Sequence, residues 1–141
     1  MSRNHNHTIF RYESWSDSVS LVEATWQLHN AGSVHYYFYS ALKTMWSPME
    51  RLLEQLKEDM PHHRILFTGH SLGGAIASIA STVFVRNFPE TSNRTHSITF
   101  GQPRVGNLQY AMTHDRLVAA GSWRVIHGRD IVRLARNPSD F

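Results

Sequence analysis

The 141 residues suffice for one domain built on a single core. An apolar fraction of 41% against 18% charged residues, with 11% aromatics, excludes a disordered chain. The net charge of +3 sets 14 basic residues, scattered without a like-charge run, against 11 acidic ones, which argues against nucleic acid, and the lack of cysteine excludes a disulfide framework and a thiolate metal site.

Met1 to Thr8 contain no apolar stretch of the kind a secretory leader carries, so no leader is expected in these residues. Thr8 to Tyr12 reads as a strand, while Val19 to Leu28 is ambiguous. Val34 to Met45 is rich in aromatics and predicts a helix. Ser47-Pro48-Met49-Glu50 then supplies an N-cap serine, a proline at the first helical position and a glutamate at the third. That pattern predicts a second helix, with Met49, Leu52, Leu53, Leu56 and Met60 on its apolar face and Pro61 as its stop.

From Arg64 onward the pattern is regular. A β-type run, Ile65 to Thr68, precedes a helical stretch through Leu72, Ala75, Ile76, Ile79, Ala80, Val83 and Phe84. A polar loop, Pro89 to Thr95, leads to a strand at Ser97 to Phe100. A helix from about Asn107 to Ala120, ended by Gly121, leads to a strand at Trp123 to His127. Strands alternating with helices predict an α/β fold with a parallel sheet and flanking helices, whose ligands bind at the carboxyl ends of the strands. The stretch Gly73 to Val85 is too short to span a bilayer, so no transmembrane segment is expected.

The loop after the first of these strands is Gly69-His70-Ser71-Leu72-Gly73, a G-x-S-x-G pattern between strand and helix. Ser71 would occupy a strained turn that projects its hydroxyl, and Gly69 and Gly73 would remove side chains that collide with the neighbouring strand and helix. The N–H of Leu72, at the positive end of the following helix, is then an oxyanion donor. A serine nucleophile needs a histidine base oriented by a carboxylate. The acids after Ser71 are Glu90, Asp115, Asp130 and Asp140, and only Asp130 falls in a loop at a strand's carboxyl end. A turn-capping aspartate is the plainer reading of the same residue.

Three blocks in order carry a family resemblance: Gly69 to Ala75, Thr99-Phe100-Gly101-Gln102-Pro103-Arg104-Val105-Gly106-Asn107, and Arg124 to Val132. With them the sequence resembles the class 3 (fungal-type) lipases over about Thr8 to Leu134, Val34-His35 included. The resemblance implies a single, partial α/β-hydrolase domain over residues 1–141, incomplete at both ends, acting on triacylglycerols or related esters. It makes Ser71 the nucleophile and Asp130 the acid of the triad, and acyl transfer of that kind needs no cofactor.

Two positions depart from the family pattern. The turn that supplies a second oxyanion donor in the family corresponds to Phe10-Arg11-Tyr12-Glu13, where Glu13 carries the wrong charge for that task, so either Ser14 fills the role or this end is not the native sequence. Arg133 stands where the family usually has proline.

The triad histidine that the resemblance places after the acid is not among Ile131 to Phe141. The expectation is therefore a longer enzyme, of which this chain is a clipped part. The alternative, from a different functional class, is a non-catalytic lipid-binding pseudoenzyme. Of the histidines present, His70 should point away from the hydroxyl, and His96, His114 and His127 are the other candidates considered as a base. Partners expected are an ester or lipid substrate and a lipid–water interface, with no nucleic acid; composition leaves oligomeric state open.

Tyr36, Tyr37, Phe38, Tyr39 and Trp46 have the spacing of core aromatics, with a lipid-facing lining as the other reading. His5-Asn6-His7 and His62-His63 lack zinc-site spacing and a partnering acid motif, so no metal is expected. Asn6-His7-Thr8 and Asn93-Arg94-Thr95 fit N-x-[ST], which suits a secreted protein.

Overall fold

The computed structural model describes residues 25–28 and 31–126. The predicted strand at Thr8 to Tyr12, the segment around Glu13, and the family block from His127 to Val132 lie outside the described residues.

A hairpin opens the described chain. Strands β1 (Thr25–Leu28) and β2 (Gly32–His35) pair antiparallel, with Trp26 opposite Val34. The outer side of β2 pairs with the loop after a later strand: His35 N–H donates to Val105 O at 2.8 Å, and Asn107 N–H donates to Ser33 O at 3.0 Å.

Helix α1 is one continuous element, Tyr36–Asp59, with Pro48 inside it. The two separate helices expected here are thus a single helix, and the Ser47-Pro48 signal does not start a new one. Phe38 and Leu42 before Pro48, and Met49 and Leu53 after it, pack on the same core, so burial on one face carries the helix through its missing N–H. The expected apolar face is only half used: Met49 and Leu53 reach the core, whereas Leu52, Leu56 and Met60 are exposed. Among the aromatics, Phe38 is buried, Tyr39 and Trp46 are partly buried against the core, and Tyr36 and Tyr37 stand half exposed.

The remaining elements form a strand–helix–strand–helix–strand unit. They are β3 (Ile65–His70), α2 (Leu72–Asn87), a short 3-10 helix (Pro89–Arg94), β4 (Thr95–Phe100), α3 (Leu108–Leu117) and β5 (Gly121–Val125). The polar loop expected at 89–95 is the 3-10 helix. The strand expected at Trp123 to His127 starts earlier, at Gly121, which opens β5 rather than ending α3.

β3, β4 and β5 make a parallel sheet in that order, with His70 opposite Phe100 and Phe100 opposite Val125. All three strands therefore end in one row.

Alternation along the strands gives the sheet two unlike faces. Phe67, Thr95, Ser97 and Thr99 are buried beneath α2, where Phe67 meets Phe84 with ring centroids 5.6 Å apart. α2 is buried around most of its circumference, between sheet, α1 and α3, which its small residues Gly74, Ala75, Ala77, Ser78, Ala80 and Ser81 permit. Its hydroxyls are satisfied locally: Ser81 and Thr82 both donate to Ser78 O. Among the described residues no buried side-chain nitrogen or oxygen lacks a partner. The other face exposes Leu66, Phe100, Trp123 and Val125. No described helix is long and apolar enough to cross a membrane.

Candidate active site

The row in which the strands end carries the site. Ser71 follows β3 immediately and has φ 51° and ψ −121°, the one non-glycine residue with positive φ among those described. A side chain in that region costs about 1–3 kcal/mol and persists only where the surroundings impose it. Here they do: Ser71 N–H donates to Phe100 O at 2.9 Å on the neighbouring strand, and Ser71 O accepts from Ala75 N–H at 3.1 Å in the first turn of α2.

The strained turn has a chemical consequence. A serine at a helix N-cap ordinarily accepts a hydrogen bond from the first turn, but the Ser71 side chain makes no such bond. The early N–H groups of α2, Leu72 first, have no acceptor within their own helix. No acidic side chain occupies that turn. Positive helix end and free hydroxyl thus stand side by side, with Ser71 partly exposed and Leu72 exposed beside it.

Gly69 and Gly74 make close approaches, as the sequence leads one to expect, and Gly73 departs from that expectation. A Cβ on Gly69 would lie 2.4 Å from the carbonyl carbon and oxygen of Gly73, so the turn closes only with glycine at 69. A Cβ on Gly74 would lie 3.1 Å from Gly69 O and 3.3 Å from Gln102 Cβ. One on Gly73 would meet no described atom within 4 Å. The close partner on the helix side is therefore Gly74 together with the Gly73 backbone, and among the described residues the expected collision of a side chain at 73 does not arise.

Gln102, which the motif reading passed over, ties the site together. Its side chain accepts from Thr99 Oγ1 and packs beside Gly74. Its carbonyl receives two bonds from the Arg124 guanidinium, at 2.9 Å from Nε and 2.6 Å from Nη2. The signal was present in the second block, where a glutamine follows the glycine that ends a strand. Gly101 itself has φ 55° and donates to Val125 O at 2.9 Å.

The histidines separate by environment. His70 is exposed at the end of β3, on the sheet face opposite α2. His96 stacks on Trp123, with ring centroids 6.1 Å apart. His35 caps α1, its Nδ1 accepting from Tyr37 N–H, and burial lowers its pKa. His114 is buried with both ring nitrogens engaged, by Thr82 and Ser122. Among the described residues none hydrogen-bonds Ser71 Oγ, and no group of three His, Cys, Asp or Glu could hold a metal ion. Asp130 and His127 lie outside the described residues.

The family profile for lipase (class 3) matches residues 11–138. This chain belongs to the class 3 lipases. A lipase of Caenorhabditis elegans is 34% identical over 104 residues, covering 74% of this chain and 29% of that protein. The secreted mono- and diacylglycerol lipase 1 of Fusarium solani is 30% identical over 120 residues, covering 84% of this chain and 34% of that protein. The structure of lipase II from Rhizopus niveus superposes with a TM-score of 0.74 at 26% identity, over 86% of this chain and 45% of that one. The chain thus spans about a third of the curated relatives it matches, and its three-stranded parallel sheet with flanking helices is part of the α/β-hydrolase fold.

Proposed function

We propose that this class 3 lipase is a serine hydrolase of acylglycerol esters that works through an acyl-enzyme on Ser71. The observation that carries the reading is the positive φ of Ser71 at the strand-to-helix turn, because it holds the hydroxyl beside the uncapped N-terminus of α2. Ser71 Oγ attacks the ester carbonyl carbon while its proton passes to a histidine base. The carbonyl oxygen becomes an oxyanion that accepts from Leu72 N–H. Collapse of the tetrahedral species expels the alcohol, which takes the proton, and water activated by the same base releases the fatty acid.

Asp130 is proposed as the residue that orients the base. Three strands ending in one row put the exits of β3 and β5 two strand spacings apart, about 10 Å, and Asp130 follows β5 closely in sequence. His70, Gly69 and Gly73 serve the elbow rather than proton transfer. Catalysis of this kind needs no cofactor.

The substrate assignment rests on kinship and surface. The Fusarium relative is named for mono- and diacylglycerols, and here Leu72 and Phe100 expose apolar side chains next to Ser71, which suits an acyl chain at a lipid–water interface. Secretion of the complete protein accords with the same relative. The deciding experiment treats the full-length protein and its Ser71→Ala variant with a fluorophosphonate probe, alongside diacylglycerol emulsions. Labelling and fatty-acid release confined to the wild type are expected. Equal labelling of both forms would overturn the assignment of Ser71, and a wild type that binds emulsions without labelling or releasing acid would make the chain a lipid-binding pseudoenzyme.

A further inference from the structure

Thr91 to Arg94 end the 3-10 helix and Thr95 opens β4, and four of these five residues are tied inward. Thr91 is fully buried and donates to Phe88 O. Ser92 is half-buried, its hydroxyl donating to Leu117 O and its carbonyl accepting from Ala120 N–H. Arg94 is half-buried and spreads its guanidinium over three carbonyls at the end of α1 and in the turn after it: Met60 at 3.0 Å, His63 at 2.8 Å and Lys57 at 3.3 Å. Thr95 is fully buried and donates to Thr91 O. Asn93 alone among the five is exposed.

This outward asparagine begins an acceptor triplet for N-linked oligosaccharide. Arg94 rather than proline stands at the middle position, and threonine stands at the third. The segment's location also leaves room. Asn93 precedes the amino end of β4, whereas Ser71 follows the carboxyl end of β3, and a six-residue strand separates those ends by about 20 Å. A large polar chain at Asn93 would stand clear of the nucleophile.

We propose that Asn93 is an N-glycosylation site. In the transfer, the Asn93 side-chain nitrogen forms a bond to the anomeric carbon of a lipid-linked oligosaccharide and loses one proton. The bond from that carbon to the diphosphate oxygen breaks, and the polyprenyl diphosphate leaves. Since the Thr95 hydroxyl is sealed in the folded protein, transfer precedes the docking of this turn, during synthesis, and the fold then presents the modified residue to solvent. The role of the surrounding anchors is to hold the end of the 3-10 helix so that, from Thr91 to Thr95, only position 93 faces outward.

The test is expression of the full-length protein through a eukaryotic secretory pathway, followed by peptide mass spectrometry before and after peptide-N-glycosidase. The Asn93 peptide is expected to carry oligosaccharide, to be converted to aspartate at 93 by the enzyme, and to lose the mass shift in Asn93→Gln. An Asn6→Gln variant should keep the shift at the Asn93 peptide. Secreted protein whose Asn93 peptide is unmodified overturns the proposal, as does a chain that never enters the pathway. Neither outcome bears on hydrolysis, which the Ser71→Ala comparison reads separately.

Discussion

His114 Nδ1 sits 2.8 Å from Thr82 Oγ1 in the buried seam between α2 and α3. The Thr82 hydroxyl donates to Ser78 O, so its lone pair receives the Nδ1 proton, and Nε2 is left to accept from Ser122 on β5 at 2.8 Å. Tyr110 Oη closes the network at 2.9 Å from Ser78 Oγ, and burial pushes its phenol up to about 12. Four hydroxyls and a neutral imidazole thus join both helices to the strand that leads towards Asp130.

Stability should follow the charge on His114. Burial lowers its pKa from the ordinary 6.5, and the nearby Asp115 opposes that shift only in part. The unfolded chain therefore binds a proton at pH values where the folded chain resists it. Stability is complete above about pH 6.5 and falls as pH drops from there towards the lowered value. Urea unfolding at about pH 5 and about pH 7.5 measures the slope. His114→Gln keeps hydrogen-bonding capacity without titrating, and should flatten the slope while lowering the plateau by about 1 kcal/mol. An unchanged slope would assign the effect elsewhere, for instance to His35, whose pKa burial also lowers.

Strain at Ser71 makes a second expectation that separates folding from chemistry. Ser71→Ala retains a Cβ at φ 51°, whereas Ser71→Gly removes it. The glycine variant should be more stable than the alanine variant by about 1 kcal/mol, the strain relieved being partly offset by the freer unfolded chain. Both should lose ester hydrolysis by up to about a million-fold. Thermal melts of the two variants side by side give the comparison. A glycine variant less stable than the alanine one would show that the turn imposes no strain at 71.

The elbow glycines should differ sharply. Gly69→Ala drives a methyl against the Gly73 backbone at 2.4 Å, where nothing flexible can yield, and should cost about 3 kcal/mol. Gly73→Ala meets open space and lies in the first turn of α2, so it should be neutral or stabilising by up to about 1 kcal/mol. Chemical denaturation of each variant decides the order. Equal losses at both positions would mean that the space beside Gly73 is filled in the whole protein.

Much of the architecture was legible because β3, α2, β4, α3 and β5 each carry a clear period, although Gly121, expected to end α3, opens β5 instead. The elbow was legible for a different reason: Gly69, Ser71 and the helix after them are adjacent in sequence, so a local pattern specified a local geometry. What depends on distant partners was not legible. The tie from Arg124 to Gln102 joins residues 22 apart, and the network from Ser78 through Tyr110 to His114 joins two helices that local pattern treats separately. The exposure of Leu52, Leu56 and Met60 also depends on what lies opposite α1, and spacing alone gives no information about that.

Pro48 shows local pattern losing to packing, and it yields the last prediction. Ser47-Pro48-Met49-Glu50 has the chemistry of a helix start, yet Leu42 and Leu53 are held to one core on either side of it. Inside the helix, proline leaves the Thr44 carbonyl without its usual donor, and Thr44 Oγ1 turns back to Ala41 O at 2.8 Å rather than compensating. Pro48 is exposed, so replacing it removes no core contact. Pro48→Ala should restore the bond and raise stability by about 1–2 kcal/mol, less than the full proline penalty because the unfolded chain gains freedom. Calorimetry of the variant measures the gain. A loss of stability instead would mean that a bend at Pro48 is what brings Met49 and Leu53 onto the core that Phe38 and Leu42 share.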